Sequence, residues 1–144
     1  MARPANVPLG FSTRSLRLPA GVSVLVVDDV HATRAGLAEL LRLRGLVVHE
    51  AANGHDALDL LRTYPETSVV VLDLRMPQTD GYWFREQQLQ DPAISHVPVI
   101  VFTGSPDSEP LARLQLSHVL LKPFSVDVLL EAIGRYCDTD AGTS

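Results

Sequence analysis

The sequence predicts a doubly wound α/β domain, a parallel sheet with helices on both faces. Three observations carry this. Five short runs are apolar throughout, as strands covered on both faces are. Helical patterns separate them, so strand and helix alternate along the chain. The connections are short, which joins parallel strands by right-handed crossovers.

The first strand is VSVLVVDD, residues 22–29, a valine-rich run ending in two acids. HATRAGLAELLRLRG follows, with Leu37, Leu40, Leu41 and Arg44 at helical spacing and Gly45 able to close the helix in a left-handed conformation. LVVHE, 46–50, is the second strand. Asn53 can cap a helix through Ala57, Leu58, Leu60 and Leu61, with Pro65 beyond its end. SVVVLD, 68–73, is the third strand. The loop LRMPQTD leads into the helix GYWFREQQLQ, where Tyr82, Trp83 and Phe84 read as packing residues. VPVIVFT, 97–103, is the fourth strand. LARLQLS, 111–117, reads as a short fourth helix, and HVLL, 118–121, as the fifth strand. Ser125 can cap a last helix through Leu129, Leu130, Ile133 and Tyr136.

The 144 residues suffice for one domain with a real core. The body is expected over 22–137, between a flexible basic tail at 1–21 and a short flexible tail at 138–144. Residues 1–21 hold Arg3, Arg14, Arg17 and no acid; the rest holds 9 basic and 17 acidic residues. An acidic body argues against nucleic-acid binding by the domain. No run approaches the ~18–20 apolar residues of a membrane helix, so no membrane partner is expected. A single cysteine, Cys137, allows no internal disulfide and suits a reducing cytoplasm. The five histidines show no metal-ligand pairing, and Arg34, Arg42 and Arg44 read as a solvated helix face.

In a sheet of this kind ligands bind beyond the carboxyl ends of the strands. There the sequence sets Asp28 and Asp29 after the first strand, Asp73 at the end of the third, Thr103 and Gly104 at the fourth, and Lys122 after the fifth. Singly, each has an ordinary explanation: a helix cap, a turn opener, a β-branched strand residue. Together they are three carboxylates, a hydroxyl and an ammonium on one edge. Clustered carboxylates repel unless neutralised, and a hard divalent cation with oxygen ligands does this. With a phosphoryl group added, Asp73 is the candidate nucleophile. Thr103, Lys122 and backbone N–H groups near Gly104 would take the remaining phosphoryl oxygens. Lys122 is the only lysine beside eleven arginines. A compact ammonium suits a phosphoryl oxygen as the wide guanidinium fork does not.

VLVVDD, VVVLDLRMPQTDG, VIVFTG and LLKPF, in this order and spacing, resemble the receiver domains of two-component response regulators over roughly residues 22–137. The resemblance implies the flavodoxin-like receiver fold with strand order 2-1-3-4-5. It implies Asp73 as phosphoacceptor and Mg2+ (or Mn2+) on Asp28, Asp29, Asp73 and the backbone carbonyl of Arg75, with Asp28 acting partly through water. Thr103 and Lys122 would contact the phosphate, and the side chains of Arg75 and Ser105 would tune dephosphorylation. The phosphodonor would be a sensor histidine kinase or histidine phosphotransfer protein. The signal would leave through the face of the fourth helix, fifth strand and last helix to a downstream protein, from a monomer or a phosphorylation-dependent dimer.

Two features depart from that family. Val119 stands where many receivers carry an aromatic switch residue. The segment GSPDSEPLARLQLS is short and holds Pro106 and Pro110, which predicts a short or late-starting fourth helix. With no output domain following, the expectation is a stand-alone phosphorylation switch, not a conventional enzyme. The alternatives are a phosphorylation-independent interaction module, a phosphorelay member or a phosphate sink. A haloacid-dehalogenase-type phosphatase needs an acid where Arg75 stands, and a nucleotide-binding Rossmann domain needs a GxGxxG that DDVHATRAG lacks.

Overall fold

A computed structural model describes the backbone of residues 21–74, 80–104, 116, 118–122 and 125–143. Side chains are described over the same ranges except Asp80 and residues 138–143. The elements run β1 (Ser23–Val27), α1 (His31–Leu43), β2 (Val47–Ala51), α2 (Gly54–Thr63), β3 (Val69–Asp73), α3 (Asp80–Leu89), β4 (Val99–Thr103), β5 (His118–Leu121) and α4 (Val126–Thr143). The five strands form one sheet in the order β2-β1-β3-β4-β5, every pair parallel. This is the doubly wound architecture and strand order expected.

The apolar runs explain the layering. Alternate strand residues point to opposite faces, so an unbroken apolar strand feeds two cores. Val24 and Val26 of β1 join Ala38 and Leu41 of α1 and Leu129, Leu130 and Ile133 of α4 on one face. Leu25 and Val27 join Ala57, Leu58 and Leu61 of α2 and Phe84 of α3 on the other. β3 and β4 are buried at every residue. Phe84 is fully buried and Trp83 packs against the second core, as the packing reading of 82–84 requires.

Local punctuation behaves as the side chains dictate. Gly45 takes φ +92° and closes α1: its N–H donates to the Arg42 carbonyl at 2.9 Å, and the Leu46 N–H to the Leu41 carbonyl at 3.3 Å. Both bonds satisfy carbonyls that the helix end would orphan. Asn53 caps α2, accepting the Asp56 N–H at 2.8 Å, and Ser125 accepts the Val128 N–H at 3.2 Å at the start of α4. Gln88 is fully buried and donates to the carbonyls of Ile94 and Val97, tying α3 to the turn that delivers β4.

The last helix continues past Tyr136 to Thr143, through most of the segment read as a short tail at 138–144. Asp138, Thr139, Asp140 and Ala141 contain no proline or glycine to break the hydrogen-bond ladder. Arg42 and Arg44 are exposed, as a solvated face requires, but Arg34 is not: its side chain is 13% exposed. Arg34 and Arg42 bind Glu50 of β2, each at 3.2 Å, and Arg44 binds Asp127 of α4 at 3.2 Å. The tail at 1–20 and the fourth helix expected at 111–117 fall on residues outside those described, Leu116 excepted.

Candidate functional site

The strand ends converge as the topology requires. β1 and β3 are neighbours, with Val27 opposite Leu72, so Asp28 and Asp73 leave adjacent strands at the same edge. β4 lies beside β3 with Phe102 opposite Asp73, which brings Thr103 to that edge. β5 follows with Leu121 opposite Thr103. The Lys122 N–H then donates to the Thr103 carbonyl at 2.9 Å, continuing the ladder one step beyond the strand.

Carboxylate oxygens of Asp28, Asp29 and Asp73 all lie within 4.8 Å of one another. Asp28 and Asp73 are each 1% exposed, while Asp29 is exposed. The Lys122 ammonium sits 3.3 Å from Asp73 Oδ2 and 5.0 Å from the centre of the Phe102 ring. Thr103 is buried, and Gly104 is exposed at the rim. A Cβ at Gly104 would meet nothing within 4 Å, so space alone does not require glycine there. Gly81 differs: a Cβ there would come within 3.1 Å of the Leu74 side chain and 3.5 Å of the Asp73 carbonyl oxygen. Glycine lets α3 approach the end of β3 this closely.

Burial raises the pKa of the Asp28 carboxyl above its ordinary 3.8. The Val30 N–H, donated to Oδ1 at 2.9 Å, works against this, as does Lys122, while the charges of Asp73 and Asp29 add to it. A carboxylate so placed gains from any added positive charge. The donor set is also hard oxygen throughout, which fits a divalent cation of the Mg2+ or Mn2+ kind.

The raised value has a measurable consequence. With chelator present, Asp28→Asn is expected to raise the thermal midpoint at neutral pH by a few degrees, since about 1 kcal/mol moves Tm by roughly 2–4 °C in a domain this size. Asparagine keeps the acceptor for Val30 and removes a buried charge. Folding favours the protonated acid, so its contribution is full below the unfolded-state value and fades as pH rises through the raised one. The advantage of asparagine should therefore shrink as pH falls toward 3.8. Equal midpoints at pH 7 would refute this account of Asp28.

Of the residues singled out from sequence, the structure gathers Asp28, Asp29, Asp73, Thr103, Gly104 and Lys122 at one edge. Arg75 and Ser105 lie outside the described residues. Val119 stands on β5 opposite Val101, 38% exposed. Sequence reasoning missed Phe102, whose ring underlies the Lys122 ammonium; its place just before Thr103 was the available signal.

Residues 24–134 match the family model described as the response regulator receiver domain. The chain belongs to the response regulator receiver family. This receiver is 37% identical over 112 residues to the response regulator MprA of Mycolicibacterium vanbaalenii, covering 76% of this chain and 47% of that protein. It is 26% identical over 128 residues to the sensor histidine kinase CheAY of Helicobacter pylori, covering 86% of this chain and 16% of that one. Among solved structures, the chemotaxis protein CheY4 of Vibrio cholerae superposes with TM-score 0.74 at 26% identity, over 81% of this chain and 99% of that one. The receiver spans from 12% to 52% of the length of eight curated relatives that it matches. Several of those relatives are named as sensor kinases or transcriptional regulators, so the same fold serves as one part of larger signalling proteins.

Proposed function

We propose that this receiver accepts a phosphoryl group on Asp73 from a histidine kinase or histidine phosphotransfer protein. The observation that carries the proposal is the buried Asp73 carboxylate, 1% exposed, held between two further acids and the Lys122 ammonium. Asp28, Asp29, Asp73 and the backbone carbonyl of Arg75 would hold Mg2+ or Mn2+. When bound, the cation supplies positive charge that offsets the carboxylates and the phosphoryl oxygens. An Asp73 oxygen attacks phosphorus, the donor's P–N bond breaks, and the leaving imidazole keeps the bond's electron pair and takes a proton. The product is an aspartyl phosphate. Lys122 then moves its hydrogen bond from Asp73 to a phosphoryl oxygen, and the Thr103 hydroxyl and the Gly104 N–H donate to the others. Such transfer is mainly positioning and electrostatics, which this small set provides.

The output is phosphorylation-dependent binding of a downstream protein, by a switch in the cytoplasm that is not a conventional enzyme. Arg75 and Ser105 are the candidates for setting dephosphorylation. Among the described residues no helix is long and apolar enough to cross a membrane. Val119 is the one observation that favours a phosphorylation-independent module, because valine has no aromatic ring to swing. Against that stands the cost of burying Asp28 and Asp73, which a passive binding surface would have no reason to bear.

The test is the intact mass after incubation with Mg2+ and a small acyl-phosphate donor, with a chelator arm and a histidine kinase arm. One added phosphoryl group is expected with Mg2+ and none with chelator. No adduct in either donor arm, from folded protein, would overturn the proposal and leave the passive module.

A further inference from the structure

The backbone of Asp28 is fixed on every side. Its N–H donates to the Ala51 carbonyl of β2 at 3.1 Å. Its own carbonyl accepts from Arg34 Nη1 at 2.8 Å, and its Oδ1 accepts the Val30 N–H at 2.9 Å. Among the described residues, nothing donates to Oδ2. The carboxylate is therefore aimed by its peptide plane, and the group gripping that plane from α1 is Arg34.

Arg34 is itself held. Its Nε donates to Glu50 Oε1 at 3.2 Å, and its Nη2 lies 3.0 Å from His31 Nδ1. The second oxygen of Glu50 accepts from Arg42 Nη1 at 3.2 Å, and Arg42 Nη2 donates to the Val48 carbonyl at 2.8 Å. Each nitrogen of the Arg34 guanidinium thus has its own partner, and its side chain is only 13% exposed. The guanidinium donates from three separate nitrogens; an ammonium donates from one and cannot span the same three partners.

We propose that Arg34 is a positioning residue for the cation site, locking the Asp28 peptide so that its Oδ2 is presented to the metal. The inference rests on Asp28 being a metal ligand. Groups that orient a ligand are often worth on the order of 10-fold or more in metal affinity. Charge alone predicts the reverse. A guanidinium beside a cation site repels the cation, so removing it would strengthen metal binding. Positioning and charge therefore give opposite signs.

The experiment counts free Mn2+ by its electron paramagnetic resonance signal in titrations of the full chain. Wild type, Asp28→Asn, Arg34→Lys, Arg34→Gln and Arg44→Gln are compared, with thermal midpoints recorded for each. The expected result is on the order of 10-fold weaker binding for both Arg34 variants, including the lysine variant that keeps the charge, and no change for Arg44→Gln. Unchanged binding in Arg34→Lys, or tighter binding in Arg34→Gln, overturns the proposal. A wild type that binds no Mn2+ overturns the cation site itself and this inference with it. Should Arg34→Lys not fold, amide exchange in Glu50→Gln decides, because that change loosens the far end of the same guanidinium. Faster exchange at Asp29 and Val30, relative to β1 amides, supports the lock, and equal exchange removes it.

Discussion

Asp73→Asn is expected to gain no phosphoryl group under conditions that fully label the wild type. The amide matches the carboxylate in shape but offers no anionic oxygen to attack phosphorus. The loss should be complete rather than partial, because neither neighbouring acid is set to replace Asp73. Asp28 is held by the Val30 N–H at one oxygen, and Asp29 is exposed at the rim. Only Asp73 combines near-complete burial with contact to the Lys122 ammonium. The variant should fold, which its thermal midpoint will report. A residual adduct, mapped by peptide sequencing to Asp28 or Asp29, would show that the nucleophile was misassigned within a correct site.

Lys122→Ala should slow phosphoryl uptake by about 10²–10³-fold, the usual cost of removing one preorganised donor from a charged transition state. Lys122 is 23% exposed and approaches an almost fully buried carboxylate, so its charge acts in a partly dry setting. Lys122→Arg should recover only part of the rate. The guanidinium keeps the charge but is broader than the ammonium seated over Phe102. The measurement is the initial rate of mass gain at fixed donor and Mg2+. An arginine variant at the wild-type rate would mean that charge suffices, and that the single lysine in this arginine-rich chain is incidental.

Much of this architecture could be read from the chain because its signals are local. Gly45 and Asn53 act on their own helix ends, and Asp28, Asp73 and Thr103 simply terminate apolar runs. The strand order came from the resemblance, since nothing in the apolar pattern says which strand neighbours which. The ion pairs of Arg34, Arg42 and Arg44 were hidden for the same reason. On α1 alone they form a polar stripe. Their partners Glu50 and Asp127 arrive only through folding, from a separate strand and a helix 83 residues away. The overrun of α4 has a different origin: Asp138 to Asp140 look like a tail by composition, yet nothing among them forbids helix.

The position of the strands within the sheet has one more consequence. β3 is paired on both sides and buried throughout, while β5 is a four-residue edge strand whose Val119 and Leu121 remain exposed. Asp73 therefore belongs to a part of the molecule that comes apart only when the whole domain does. Lys122 follows a strand that can fray alone. Fraying of β5 would withdraw the ammonium and leave the acidic cluster intact. The receiver would then hold its carboxylates in one cooperative unit and their counter-charge at the edge of another, so the ion pair is only as durable as the weaker of the two.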